Sequence, residues 1–68
     1  MTNRVQKLRL ARGWTQARLA EELDVSRQTI YAIENGRFDP SLPLAFAIAH
    51  CFELRIEEIF TPDRAEVG

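Results

Sequence analysis

Apolar residues recur at intervals of three and four positions along the chain, which is the spacing of one face of an α-helix. Val5 and Leu8 share such a face, so we predict a first helix over residues 3–12 that ends at Gly13. Leu10 falls off that face and is expected to be exposed. The opening segment is therefore an amphipathic helix with a glycine stop.

The second predicted helix covers residues 16–23, and Thr15 is a suitable N-cap for it. Trp14, between the first two helices, is expected to close the core. The helix has one apolar stripe, formed by Leu19, Ala20 and Leu23.

A tight turn at Asp24 and Val25 leads to a third helix. Ser26 is the next N-cap, and the helix is predicted over residues 27–35, ending at Gly36. The turn favours a left-handed backbone, and Asp adopts that conformation at lower cost than most non-glycine residues, so we expect the turn to form.

The second half of the chain is more apolar. A fourth helix is predicted over residues 42–52, with Pro43 in its first turn, where a missing N–H is harmless. A short fifth helix follows at about residues 56–60 and ends before Pro62. The remaining segment, residues 61–68, is short and polar.

Length and composition restrict the class of protein. A chain of 68 residues with 46% hydrophobic residues is expected to form one small domain, and Cys51 alone cannot form an intrachain disulfide or a zinc cluster. No apolar run approaches the roughly 18 residues needed to span a membrane, and no signal-peptide core follows Met1. We therefore expect a cytoplasmic protein without a membrane segment.

The charge is divided unevenly between the two halves. The formal net charge is −1, but residues 1–37 carry seven basic and four acidic residues, whereas residues 38–68 carry two basic and six acidic ones. Screening beyond roughly 8 Å makes the local charge the relevant one for a polyanion. A basic first half is compatible with nucleic-acid binding, and we expect the acidic half to face away from a duplex.

Residues 15–36, TQARLAEELDVSRQTIYAIENG, have the layout of two short helices joined by a tight turn, which places a helix in the major groove of DNA. This segment resembles the helix-turn-helix of the lambda repressor/Cro-like (XRE) family. The resemblance implies a compact all-α domain of five helices over residues 1–68, with residues 41–60 serving the core and dimerisation. Residues 61–68 are expected either to fray or to add a small strand beside the N-terminus.

Gln28 is the strongest candidate for reading a base, because a carboxamide can form a bidentate pair with adenine. It lies near the N-terminal end of the third helix, which reaches deepest in this docking geometry. The alternative is a solvated polar face. The resemblance implies base contacts from four residues, namely Arg27, Gln28, Thr29 and Ala32.

The resemblance also implies contacts with backbone phosphates, which orient a protein without reading sequence. Gln16 begins the second helix, where free N–H groups and the helix dipole favour an anion, although it is otherwise an ordinary helix-start residue. Tyr31 lies either against the sugar-phosphate chain or simply in solvent. The full set of predicted phosphate contacts is Thr15, Gln16, Tyr31, Asn35 and Arg37.

Arg9 and Glu34 occupy positions that form a partly buried ion pair in relatives, joining the first helix to the end of the third. The alternative for Arg9 is a phosphate contact. Relatives usually place glycine at position 53, so Glu53 is expected to strain the backbone by on the order of 1 kcal/mol if its φ is positive.

The fourth and fifth helices offer more apolar surface than a small core needs. We therefore expect a homodimer, and a dimer can read two half-sites of a palindromic operator. The predicted interface consists of Phe46, Ile56, Ile59 and Phe60. On this basis the chain is expected to be a dimeric transcriptional repressor.

Catalysis is not expected. His50 is the only histidine, without a second ligand at suitable spacing, and Cys51 has no general base within sequence reach, so we predict no metal, cofactor or small-molecule site. The alternative function is an antitoxin or another protein-interaction module that binds DNA secondarily.

Overall fold

The computed structural model describes residues 1–62, which form five helices and two short strands. The elements in chain order are β1 (Thr2–Asn3), α1 (Val5–Ala11), α2 (Gln16–Leu23), α3 (Arg27–Glu34), α4 (Leu42–Phe52), α5 (Ile56–Ile59) and β2 (Phe60–Thr61). The predicted all-α class is confirmed with the small terminal β element. Among these helices, none is long and apolar enough to cross a membrane.

The two short strands pair with each other. β1 and β2 are antiparallel, with Thr2 opposite Thr61 and Asn3 opposite Phe60, and Arg4 N–H donates to the Ile59 carbonyl at 2.9 Å. The prediction that the first helix begins at residue 3 is therefore wrong, because Asn3 pairs as a strand. The predicted tail beyond residue 62 lies outside the described residues.

Helices α1 to α4 end in the same way. After each helix a left-handed residue lets two N–H groups bond back to carbonyls of the last turn, which is the Schellman arrangement. After α3, Gly36 N–H donates to Ile33 and Arg37 N–H donates to Ala32, at 3.1 and 2.9 Å. The left-handed residues are Gly13, Asp24, Gly36 and Glu53, with φ between 56° and 71°.

The core lies between the helices, and its largest side chains come from five of the seven elements. α2 and α3 pack against each other, and α4 packs against both α2 and α5. Isoleucine and leucine dominate because their branched side chains fill the space between crossing helices. The fully buried side chains are Val5, Leu19, Ile30, Ile33, Ile48 and Ile59.

Trp14 closes one edge of the core. Its ring lies 6.1 Å from that of Phe52, centroid to centroid. The Arg12 guanidinium is 5.0 Å from the Trp14 ring and 4.9 Å from the Phe52 ring, and Arg18 lies 4.8 Å from Trp14. The two arginines therefore pack their planar groups on aromatic faces, a favourable cation–π geometry.

Candidate nucleic-acid interface

The helix-turn-helix is formed by α2 and α3. Ser26 caps α3 by accepting the Thr29 N–H at 3.1 Å, and Ile30 and Ile33 point into the core. The opposite face of α3 therefore lies in solvent. Arg27 and Gln28 are exposed there, and neither side chain makes a hydrogen bond or ion pair with any other residue in 1–62.

The other two predicted base-reading residues are less accessible. Thr29 and Ala32 are half-buried, and the Thr29 hydroxyl lies 2.9 Å from the Ser26 hydroxyl. The hydroxyl of Thr29 is thus partly occupied by the cap of its own helix. Four candidates share one helix, but only Arg27 and Gln28 extend freely from it.

The start of α2 lies close to the end of α3. Thr15 caps α2 by accepting the Arg18 N–H at 3.0 Å. Gln16 is half-buried, and its amide donates to Glu34 Oε1 at 3.1 Å, a contact that sequence reasoning missed. A carboxamide carries two N–H groups, so one remains for an external acceptor such as a phosphate oxygen.

The exit from α3 is defined by a side-chain hydrogen bond and a left-handed glycine. Asn35 donates from Nδ2 to the Tyr31 carbonyl at 2.8 Å, and Gly36 has a φ of 71°. Arg37 follows with an exposed side chain that has no ion-pair partner within residues 1–62. Tyr31 is 50% exposed on the same helix.

Arg9 and Glu34 form a buried ion pair between α1 and the last turn of α3. Arg9 Nε lies 2.7 Å from Glu34 Oε2, and the second guanidinium nitrogen donates to Oε1 at 3.1 Å. The third nitrogen donates to the Trp14 carbonyl at 2.8 Å. Both side chains are almost fully buried, at 8% and 1% exposure. A bidentate pair of this kind fixes both the position and the angle of the two helices.

The apolar surface differs from the predicted one. Ile59 and Phe60 are only 1% and 5% exposed, so they belong to the core of the single chain and offer almost no surface to the predicted dimer interface. Ile59 ends α5, which packs against α4, and Phe60 begins β2, which pairs with β1. Phe46 remains 59% exposed, and Leu42 one turn earlier is 65% exposed.

Ile56 lines an apolar groove of about 430 Å³ beside this surface. Sequence reasoning overlooked Leu42, although its four-residue spacing from Phe46 places both on one face. The groove is lined by Met1, Pro40, Leu42, Ala45, Ile56, Glu57, Phe60 and Pro62.

No cluster of three or more His, Cys, Asp or Glu side chains within residues 1–62 is placed to hold a metal ion. The features that converge on one surface are instead the exposed face of α3, the start of α2 and the α3 exit. This arrangement suits an extended polyanionic surface, because Arg27 and Arg37, unpaired within residues 1–62, and the exposed Gln28 amide lie along α3 and its exit.

Comparison with known proteins adds family information to this geometry. A family model described as helix-turn-helix matches residues 5–59. An uncharacterized HTH-type transcriptional regulator of Methanocaldococcus jannaschii is 53% identical over 60 residues, covering 88% of this chain and 91% of that relative. The uncharacterized HTH-type transcriptional regulator YgzD of Bacillus subtilis is 43% identical over 60 residues, with the same two coverages.

Two solved structures have a similar fold. The restriction-modification controller protein C.AhdI of Aeromonas hydrophila superposes with a TM-score of 0.76 at 28% identity, covering 84% of this chain and 86% of that one. A hypothetical transcription factor, NHTF of Neisseria, superposes with a TM-score of 0.75 at 21% identity. The latter covers 93% of this chain and 72% of the other.

Proposed function

The chain belongs to the XRE-type helix-turn-helix family of DNA-binding transcriptional regulators, and from this premise we propose that it is a sequence-specific regulator whose helix α3 reads the major groove. The observation that carries the proposal is the exposed, unpaired state of Arg27 and Gln28 at the N-terminal end of α3. That end approaches the base edges most closely in this docking geometry.

Gln28 is the residue expected to discriminate bases. Its carboxamide can donate to N7 and accept from N6 of adenine, whereas Arg27 can bind guanine or a phosphate. Thr29 and Ala32 are half-buried on the same helix. The methyl group of either side chain can contact the methyl group of thymine. Most of the sequence preference is therefore assigned to Gln28 and Arg27.

Backbone phosphates are expected to bind at both ends of the motif. The start of α2 offers free N–H groups, the Thr15 cap and the second N–H of Gln16. The α3 exit offers Asn35, the backbone of Gly36 and the Arg37 charge, with Tyr31 one turn earlier. These contacts orient the protein and make the affinity depend on salt.

We further propose that two copies associate through Leu42, Phe46 and Ile56. Leu42 and Phe46 are more than half exposed, and an exposed apolar patch of this kind marks an interaction surface. A two-fold dimer would read half-sites about 34–36 Å apart on a palindromic operator. Blocking a promoter requires only that the operator be occupied, and we propose that the role of this chain is that of a repressor. The similarity to C.AhdI, a restriction-modification controller protein, supports a regulatory role.

Selection of bound sites from a random oligonucleotide pool tests the reading of bases. Wild-type protein should enrich a motif with two symmetric halves, and Gln28→Ala should lose preference at one base pair per half-site, equivalent to about 1–3 kcal/mol of discrimination. Arg37→Ala is the matched control, because loss of a phosphate contact weakens all sequences alike. An unenriched pool, or the same motif from wild type and Gln28→Ala, would refute the proposal.

Sedimentation at tens of micromolar tests the dimer. Phe46→Glu and Ile56→Glu should give monomers, and Leu10→Glu is the control because Leu10 is similarly exposed on α1, outside the proposed interface. Only monomeric wild-type protein at that concentration, or dissociation by Leu10→Glu alone, would eliminate this interface.

A further inference from the structure

We propose that Asn3 is a positioning residue for the DNA interface, through which the pairing of β1 with β2 holds the C-terminal end of α3. Asn3 Nδ2 donates to the Ile33 carbonyl at 2.9 Å, a contact between residues thirty positions apart. Ile33 lies in the last turn of α3, immediately before the exit that carries the proposed phosphate contacts. The inference thus rests on the proposed function.

Both polar atoms of the Asn3 side chain are used. Its Oδ1 accepts the Val5 N–H at 3.1 Å, at the start of α1, while Nδ2 reaches α3. The orientation of the amide is therefore determined, because one neighbour is a donor and the other an acceptor. An ionised carboxylate at this position could accept from Val5 but could not donate to Ile33.

Asn3 is itself fixed by the sheet. It lies opposite Phe60 in the β1–β2 pair, and Phe60 and the preceding Ile59 are buried in the core. The adjacent Arg4 N–H bonds to the Ile59 carbonyl at 2.9 Å. The sheet is thus anchored by apolar burial, and the Asn3 amide transmits its position to α3.

The contact complements the other bonds at the end of α3. The Ile33 carbonyl already accepts the Gly36 N–H at 3.1 Å, so Asn3 occupies its second lone pair. The next residue, Glu34, is held by Arg9 from α1 and Gln16 from α2. Consecutive residues of the last turn are therefore tied to three other elements, and Asn3 binds the same carbonyl that accepts the Gly36 N–H.

The test compares DNA affinity and its salt dependence in Asn3→Asp with those in Thr2→Asp. Asn3→Asp retains the size and the acceptor for Val5 but removes the donor to Ile33. Thr2→Asp adds the same charge at the neighbouring exposed position, where the native side chain makes no hydrogen bond within residues 1–62. Binding is measured on the selected operator at a temperature at which circular dichroism shows each variant to be fully folded.

Asn3→Asp should bind about tenfold more weakly than Thr2→Asp, as expected for loss of one hydrogen bond to a phosphate. The slope of log affinity against log salt should fall by about one, with unchanged base preferences in site selection. A merely structural role would lower the folded fraction and leave the slope unchanged. If Asn3→Asp does not fold, Asn3→Ala is compared with Thr2→Ala in the same way.

Equal affinity and slope in the matched pair would overturn the inference, as would a loss of affinity without a change of slope. Both results would leave the proposed function intact, because wild-type protein would still bind its operator. Failure of wild-type protein to bind any selected sequence would instead refute the proposed function. The two failures are thus separable in one set of titrations.

Discussion

Removal of the buried Arg9–Glu34 pair is the most informative perturbation of this fold. In Arg9→Ala, the Glu34 carboxylate loses donors at 2.7 and 3.1 Å and keeps only the Gln16 amide. The Trp14 carbonyl also loses its guanidinium donor at 2.8 Å. Because the Glu34 side chain is 1% exposed, water cannot easily replace these partners.

The expected cost is large for so small a domain. Removing one partner of a buried ion pair typically destabilises by about 3–5 kcal/mol. At roughly 0.05–0.15 kcal/mol per residue, a chain of this length has a total stability of about 3–10 kcal/mol. Arg37 is exposed and unpaired within residues 1–62, so Arg37→Ala should change the free energy of unfolding by less than about 0.5 kcal/mol.

Urea titration followed by fluorescence of Trp14, which packs against Phe52, measures both values. If Arg9→Ala is unfolded without urea, the titration is repeated in a stabilising osmolyte, which favours burial of the chain. Arg9→Met/Glu34→Leu should be more stable than Arg9→Met alone, because the double change removes the unpaired charge. Equal free energies of unfolding for Arg9→Ala and Arg37→Ala would refute the reasoning.

Three further predictions concern local features. Glu53→Gly should raise the free energy of unfolding by about 0.5–1 kcal/mol, since φ is 57° at position 53. Asp24→Gly is the matched comparison and should gain less stability, because Asp adopts the left-handed conformation at lower cost. An unchanged urea midpoint for Glu53→Gly would contradict this prediction. Ser26→Ala should lose about 1 kcal/mol with the cap of α3, and an unchanged urea midpoint would show that the cap does not contribute. Burial raises the pKa of the Cys51 thiol, so iodoacetamide at pH 8 should alkylate the folded protein more slowly than the urea-unfolded protein; an equal or faster rate in the folded state would contradict this.

The sequence alone determined the local architecture. The predicted bounds of α2 and α4 agree with the structure, as do the caps at Thr15 and Ser26, because capping and helical periodicity depend on residues within a few positions of each other. The left-handed conformation of Asp24 agrees with the expected turn, and Glu53 has the positive φ on which its expected backbone strain depended. The resemblance to the family also predicted the Arg9–Glu34 ion pair that the structure contains.

The tertiary structure decided which apolar residues are buried and which polar side chains already have hydrogen-bond partners. A two-residue strand has no periodicity to detect, so only its pairing with β2 shows that Asn3 is not helical. The same pairing buries Ile59 and Phe60, which composition alone could not distinguish from the exposed Leu42 and Phe46. Sequence patterns specify contacts within a helical turn, whereas contacts between distant residues depend on how the elements pack together.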